Sequence, residues 1–166
     1  MSCPSNNDLP GRPVRASVSE YAEMALPNDA NPLGNLLGGK VMHLVDMAGS
    51  LAATRHSRCA VVTASIDHMS FLHPVYIGQL LILRSSVNRA FGTSMEVGVK
   101  VMVEDLKTGE RRHTSSAYLT FVPIDTEGRP VRVPPVIPET PEEKRRYRDA
   151  CQRRQHRLAL RSASRG

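Results

Sequence analysis

The chain has 166 residues, which suits one domain and is tight for two. Its 40% hydrophobic content supports a core and argues against general disorder, while 4% aromatics with no Trp argue against a platform that stacks single-stranded bases. The net charge of +6 is all C-terminal: residues 1–141 hold 13 basic and 13 acidic side chains, and residues 142–166 hold 9 and 3.

In chain order, residues 13–26 read as a first strand, and Asn28, Asp29, Asn31, Pro32 and Gly34 as a turn-rich loop. From about Leu36 to His56 the chain reads as a helix. His43, Asp46, Ser50 and Thr54 interrupt its apolar and alanine positions at spacings of three and four, forming one narrow stripe. A helix apolar around most of its circumference is expected to be buried. The period then changes to two. Residues 60–71 carry a β-branched strand signal, Pro74 and Gly78 punctuate a turn, and 79–91 read as the next strand. In 95–103, Met95, Val97, Val99, Val101 and Val103 alternate with Glu96, Gly98, Lys100 and Met102, a strand with one face on a core. Lys107-Thr108-Gly109 signals a hairpin, and 112–123 read as a last strand. Six prolines make 123–141 a linker, and a polar helix at about 140–160 follows.

This order predicts an α+β fold in which a long helix packs on one face of an antiparallel sheet. Open sheet edges favour dimerisation through an edge or through the helix. Residues 1–12 are expected to be a flexible N-terminus, 13–125 the main domain, and 126–166 a Pro-rich linker and basic helix packing on it. Cys3, Cys59 and Cys151 are too far apart for a disulfide framework or a Cys-x-x-Cys half-site. No apolar run reaches the ~18–20 residues that cross a bilayer, and the N-terminus does not read as a secretion signal. A cytoplasmic protein without membrane contact is expected. The basic tail reads either as a solvated helix or as a segment facing phosphates, those of nucleic acid or of a nucleotide-bearing substrate.

Common catalytic signatures are missing: no Gly-x-Ser-x-Gly, no phosphate loop, no His-Glu-x-x-His, and no paired metal spacing among the six histidines. Asn31 to Asp46 is the unusual stretch. Gly38 and Gly39 stand at the predicted helix start, where unpaired N–H donors and a partial positive charge suit a carbonyl oxygen. Two turns further on, Asp46 is a carboxylate within an apolar helix and needs a hydrogen-bonding neighbour, a raised pKa or a polar cleft. Such a group serves either as base or nucleophile in acyl transfer, or as a helix-face carboxylate pairing with Arg or His at a subunit interface. Asn31 alone reads as a turn or cap residue.

Four blocks in order, DANPLGNLLGGKVMHLVDMAGSLAATRH (29–56), VVTASIDHMSF (61–71), PVYIGQ (74–79) and FGTSMEVGVKVMVEDLKTGE (91–110), resemble the hotdog-fold acyl-CoA thioesterases of the cytosolic acyl-CoA hydrolase type. The resemblance implies a central helix wrapped by a curved antiparallel sheet, two protomers forming the active unit, and three such dimers in a hexamer. It implies hydrolysis of acyl-CoA without metal or cofactor, and it gives nucleic acid no part. Asn31 and Asp46 would be the catalytic pair, contributed by different protomers, with the Gly39 backbone in the oxyanion role. Ala64, Ser65 and Ile66, with Thr93, Ser94 and Met95, would line the CoA groove, and Arg154 and Arg157 would reach its phosphates. Leu37 departs from the pattern, since many members carry His there. A non-catalytic acyl-CoA-binding module and a nucleic-acid-binding protein are the rival readings.

Overall fold

The computed structural model describes residues 9–164, so most of the expected flexible N-terminus lies outside the described residues. One 20-residue helix, α1 (Gly38–Ser57), is wrapped by a five-stranded antiparallel sheet that curls as a half-barrel. The strands are β2 (Ser19–Met24), β3 (Ala60–Ile66), β4 (Leu80–Phe91), β5 (Ser94–Glu104) and β6 (Arg111–Ile124), in the order β2-β4-β5-β6-β3. A short parallel pair joins β1 (Arg12–Pro13) to β7 (Val136–Ile137).

Alternation places Met95, Val97, Val99, Val101 and Val103 of β5 on the inner face, where they meet Val41, Leu44, Val45, Ala48 and Ala52 of α1 in one buried cluster. The helix lies close to the sheet because Gly49 lacks a side chain. A Cβ there would stand 2.9 Å from Cε2 of buried Phe121. Arg58 ends the helix in the left-handed region (φ 61°), and its N–H donates to the Thr54 carbonyl at 2.7 Å.

Several sequence expectations are corrected. The first strand spans only Ser19–Met24, because Val14–Ala16 form a 3-10 turn tied down by Ser17, whose hydroxyl donates to the Val14 carbonyl and accepts from Val87 N–H. The strand expected over 60–71 stops at Ile66. α1 is not buried all round: Met42, Met47 and Leu51 remain 42%, 37% and 42% exposed, so a face wider than the polar stripe is uncovered in one protomer.

The Pro-rich stretch is packed rather than extended. Val133 and Val136 are buried, His56 Nε2 lies 2.8 Å from the Pro134 carbonyl, and Arg12 Nη1 donates to the His56 carbonyl. The chain then enters a second helix, α2 (Pro141–Ala163), through a capping box formed by Thr140 and Glu143. This helix lies on the outer face of the sheet, so both faces carry a helix over part of their area. Its one buried residue is Ala150, and its ion pairs to the sheet concern the site below. No helix among the described residues is long and apolar enough to cross a membrane.

Candidate active site

The start of α1 is built to leave donors free. Its N-cap is Leu37, which has no side-chain oxygen to satisfy the first N–H groups. Lys40 N–H and Val41 N–H both turn back to the Leu37 carbonyl, at 3.0 and 3.2 Å, whereas Gly38 and Gly39 N–H have no backbone acceptor among the described residues. Gly39 is exposed and a Cβ on it would meet nothing within 4 Å, whereas one on Gly38 would sit 3.6 Å from the Phe71 ring. Lys40 adds positive charge in the same turn. Its ammonium bridges Glu23 of β2 at 2.8 Å and Asp29 at 3.3 Å. The Lys40 bond and the Tyr21 hydroxyl hold the Glu23 carboxyl below its usual range, and the Glu23 bond raises Lys40.

Asp46 is half-buried two turns further along α1, and its Oδ1 accepts from the Thr63 hydroxyl of β3 at 2.6 Å. It therefore has the hydrogen-bonding neighbour its position demands, and that neighbour is neither Arg nor His. Sequence reasoning missed Thr63, since threonine is an ordinary residue in a β-branched run. Its signal was a polar side chain within the quoted block VVTASIDHMSF. The next residue, Ala64, is the extra one in a bulge: Thr63 pairs with Phe121, and Ser65 with Thr120. Bulges re-aim side chains, and this one falls in an edge strand directly after the residue that holds Asp46.

Asn31 occupies the loop before α1. Its Oδ1 accepts from Leu33 N–H at 3.0 Å and Asn35 N–H at 3.1 Å, which fixes the loop as an Asx turn. This use of the oxygen leaves the amide nitrogen without a hydrogen-bond partner among the described residues. No hydrogen bond joins Asn31 to Asp46 within the protomer.

The other candidates fall into two groups. Ser65 and Ile66 continue β3, and Thr93 and Ser94 make the β4–β5 turn with Gly92 (φ +71°). The two segments lie on either side of β6, with Thr63 and Met95 both paired to Phe121, so roughly 10 Å separates them. The Met95 side chain is wholly buried in the core beneath the sheet. The Arg154 guanidinium stacks on Phe91, 4.7 Å from the ring centroid, at the same end of the sheet. Arg157 is already engaged, since its Nη1 donates to Asp67 Oδ2 at 2.7 Å and to Glu96 Oε2 at 3.1 Å.

Glu96 was the larger omission. Its alternation placed it on the outward face, and there it is fully buried under α2. Arg153 Nη2 donates to its Oε1 at 2.8 Å and Asn88 Nδ2 at 3.1 Å, and the Arg153 guanidinium covers the Tyr118 ring at 3.7 Å. Earlier in the helix, Arg145 and Arg146 pair with Asp149 and Glu142. Four of the nine basic residues at 142–166 are thus paired within the protein.

A groove of about 620 Å³ on the outer face, lined in part by Arg84, Lys100, His113 and Arg145, does not include Asp46 or Asn31. Comparison with known proteins gives this arrangement its context. The thioesterase superfamily matches residues 33–110. A Bacillus subtilis protein, the uncharacterized acyl-CoA thioester hydrolase YkhA, is 45% identical over 127 residues, covering 76% of this chain and 74% of its own. The chain belongs to the hotdog-fold acyl-CoA thioester hydrolases.

Solved structures agree with that family membership. An acyl-CoA hydrolase from Staphylococcus aureus, solved with butyryl-CoA, CoA and CoA disulfide, superposes with a TM-score of 0.88 at 35% identity, covering 94% of this chain and 95% of that one. A hexameric acyl-CoA thioesterase gives 0.88 at 41% identity, with 92% and 97% covered. The Staphylococcus aureus enzyme has also been solved as three single alanine variants, at an Asn, an Asp and a Thr. Its Asn precedes the Asp by 15 residues, and the Asp precedes the Thr by 17. Asn31, Asp46 and Thr63 have the same two separations.

Proposed function

We propose that this hotdog-fold protein hydrolyses acyl-CoA to a free fatty acid and CoA, in sites shared between two copies of the chain. The thioester oxygen sits on the Gly39 N–H at the start of α1, where the partial positive charge of the helix end favours the oxyanion that develops. Asp46, held by Thr63, takes a proton from water as it attacks the acyl carbon, or attacks the carbon itself and forms an anhydride that water then opens. The Asn31 amide nitrogen of the other copy donates to the water or the carbonyl. The C–S bond breaks, CoA leaves as thiolate, and the proton held by Asp46 is returned to it. None of these steps calls for a metal or redox cofactor.

The CoA moiety extends over the bulged segment Ala64-Ser65-Ile66 and the Thr93-Ser94 turn, with Arg154 placed for phosphate. Arginine suits that group by charge and fork geometry. The exposed apolar face of α1 and the unpaired edge of β3 are the surfaces through which a second copy closes the site. A hexamer of three dimers is the assembly we propose.

The observation that carries this reading is the 2.6 Å bond from Thr63 to Asp46 in a chain whose Asn, Asp and Thr repeat the spacing of the residues substituted in the Staphylococcus aureus hydrolase. Thiol release measured across saturated acyl-CoAs from acetyl to palmitoyl tests it. Release of CoA from at least one of them is expected, and its absence throughout the series would sink the reading. Single turnover in ¹⁸O water separates base from nucleophile, since label enters the Asp46 carboxylate only by the anhydride route. The rival of a binding module without turnover predicts that Asp46→Ala changes nothing. Nucleic-acid binding through the tail is disfavoured by the internal pairing of Arg145, Arg146, Arg153 and Arg157.

A further inference from the structure

Polar contacts and a stretch of β3 backbone together link the outer helix to the catalytic candidate. Arg157 of α2 bridges Glu96, fully buried on β5, and Asp67, the residue that follows β3; the Arg157 and Asp67 side chains are only 18% and 19% exposed. Asp67 N–H also donates to the Tyr118 carbonyl at 2.8 Å, and Tyr118 lies under Arg153, which grips the same Glu96. Four residues before Asp67 stands Thr63, whose hydroxyl holds Asp46.

β3 has reason to need such an anchor. It is an edge strand with β6 on one side only, and its register shifts at Ala64, between the anchor and Thr63. An edge strand with a bulge has few internal means of fixing a side chain to a few tenths of an ångström. The ion pair supplies a constraint from outside the sheet. A carboxylate as buried as Glu96 tolerates little movement of its partners, because each lost contact would leave its charge unmatched in a medium of low polarity.

We infer that Arg157, together with Asp67 and Glu96, is a positioning device. It fixes the C-terminal end of β3, and through it Thr63 and the Asp46 carboxylate, rather than contacting the CoA phosphates. The inference deepens the hydrolase reading and rests on it for its kinetic consequence, though not for its structural one. It assigns α2 a part in setting catalytic geometry from the far side of the sheet. A misplacement of about 1 Å at a reacting group costs up to about 100-fold in rate.

The test compares wild type, Arg157→Gln, Arg157→Lys and Asp67→Asn on two substrates with the same acyl group, acyl-CoA and acyl-pantetheine, which lacks the nucleotide phosphates. Arg157→Gln and Asp67→Asn are each expected to lower kcat about 10- to 100-fold on both substrates with KM within about twofold, and Arg157→Lys to recover part of the loss. A raised KM confined to acyl-CoA in Arg157→Gln, with Asp67→Asn unaffected, would make Arg157 a phosphate ligand and overturn the inference. So would kcat values within twofold of wild type. Amide hydrogen exchange over residues 60–67 gives a readout independent of turnover: it should quicken in Arg157→Gln and Asp67→Asn while the α1 core stays protected. Should wild type prove inactive while exchange quickens, the anchor stands and the hydrolase reading falls. Unchanged exchange would overturn the anchor itself.

Discussion

The Thr63 hydroxyl on an edge strand donates to the Asp46 carboxylate on the central helix, and this single bond fixes which way the acid of α1 points. A hydrogen bond to a charged group contributes about 1.5–3 kcal/mol. Thr63→Val, which keeps the shape and removes the donor, is therefore expected to reduce kcat about 10- to 100-fold with little change in KM. Thr63→Ser should retain most of the activity. Steady-state thiol release reads both, and a valine variant with wild-type kcat would leave the bond without a catalytic part.

Asn31 and Asp46 share no hydrogen bond within one protomer, so subunit mixing tests whether they meet across two. Asn31→Ala and Asp46→Asn should each be inactive alone. Mixed by co-refolding, they should regain about a quarter of wild-type activity, because a heterodimer has one intact site of two and half the dimers are mixed. Activity that stays at the level of the separate variants would place both residues in the same protomer's site or in none.

The fit of α1 against β6 is set at Gly49. Gly49→Ala gains up to about 1 kcal/mol in helix propensity but brings a methyl to 2.9 Å from the ring of Phe121, which is fully buried. Overpacking of this kind costs about 1–3 kcal/mol. The net expectation is a loss of up to about 2 kcal/mol in urea denaturation at unchanged m-value; a stabilised variant would show that the ring moves aside freely.

His56 makes stability depend on pH. Burial lowers its pKa from the ordinary 6.5, outweighing the bond to the Pro134 carbonyl, and the nearby Arg12 charge lowers it further. The folded protein thus holds the neutral ring at pH values where the unfolded chain is protonated. The stabilisation is complete above about 6.5 and is lost as pH falls from there through the depressed folded value. Thermal melts from pH 8 to 5 should fall in Tm below about 6.5, and His56→Gln should flatten that slope. An equal slope in the variant would assign the dependence to other groups.

The elements were legible from periodicity wherever each face had one constant environment. β4, β5 and β6 begin and end within a residue or two of their hydrophobic patterns, and so does α1. Asp46 stood out because an acid in an apolar helix is physically anomalous, whereas Asn31 alone read as a turn residue and was singled out only through the family resemblance. Thr63 was hidden by being unremarkable in a strand. Glu96 was hidden for a deeper reason: an outward-facing glutamate normally meets water, and only the docking of α2, more than 50 residues further along, turns that position into interior. The open face of α1 escaped notice because the pattern records that positions are apolar without recording which neighbour covers them.

Leu37 has a thermodynamic corollary. A serine or aspartate in its place would close the first turn of α1 on itself and add about 1 kcal/mol to the resting fold. The leucine forgoes that gain and leaves the first turn of α1 without a side-chain cap. If an incoming carbonyl completes the turn, occupancy and helix stability rise together, and the empty protein is kept deliberately a little less stable than its sequence could make it. A self-capped variant would then be the sturdier molecule and the poorer catalyst.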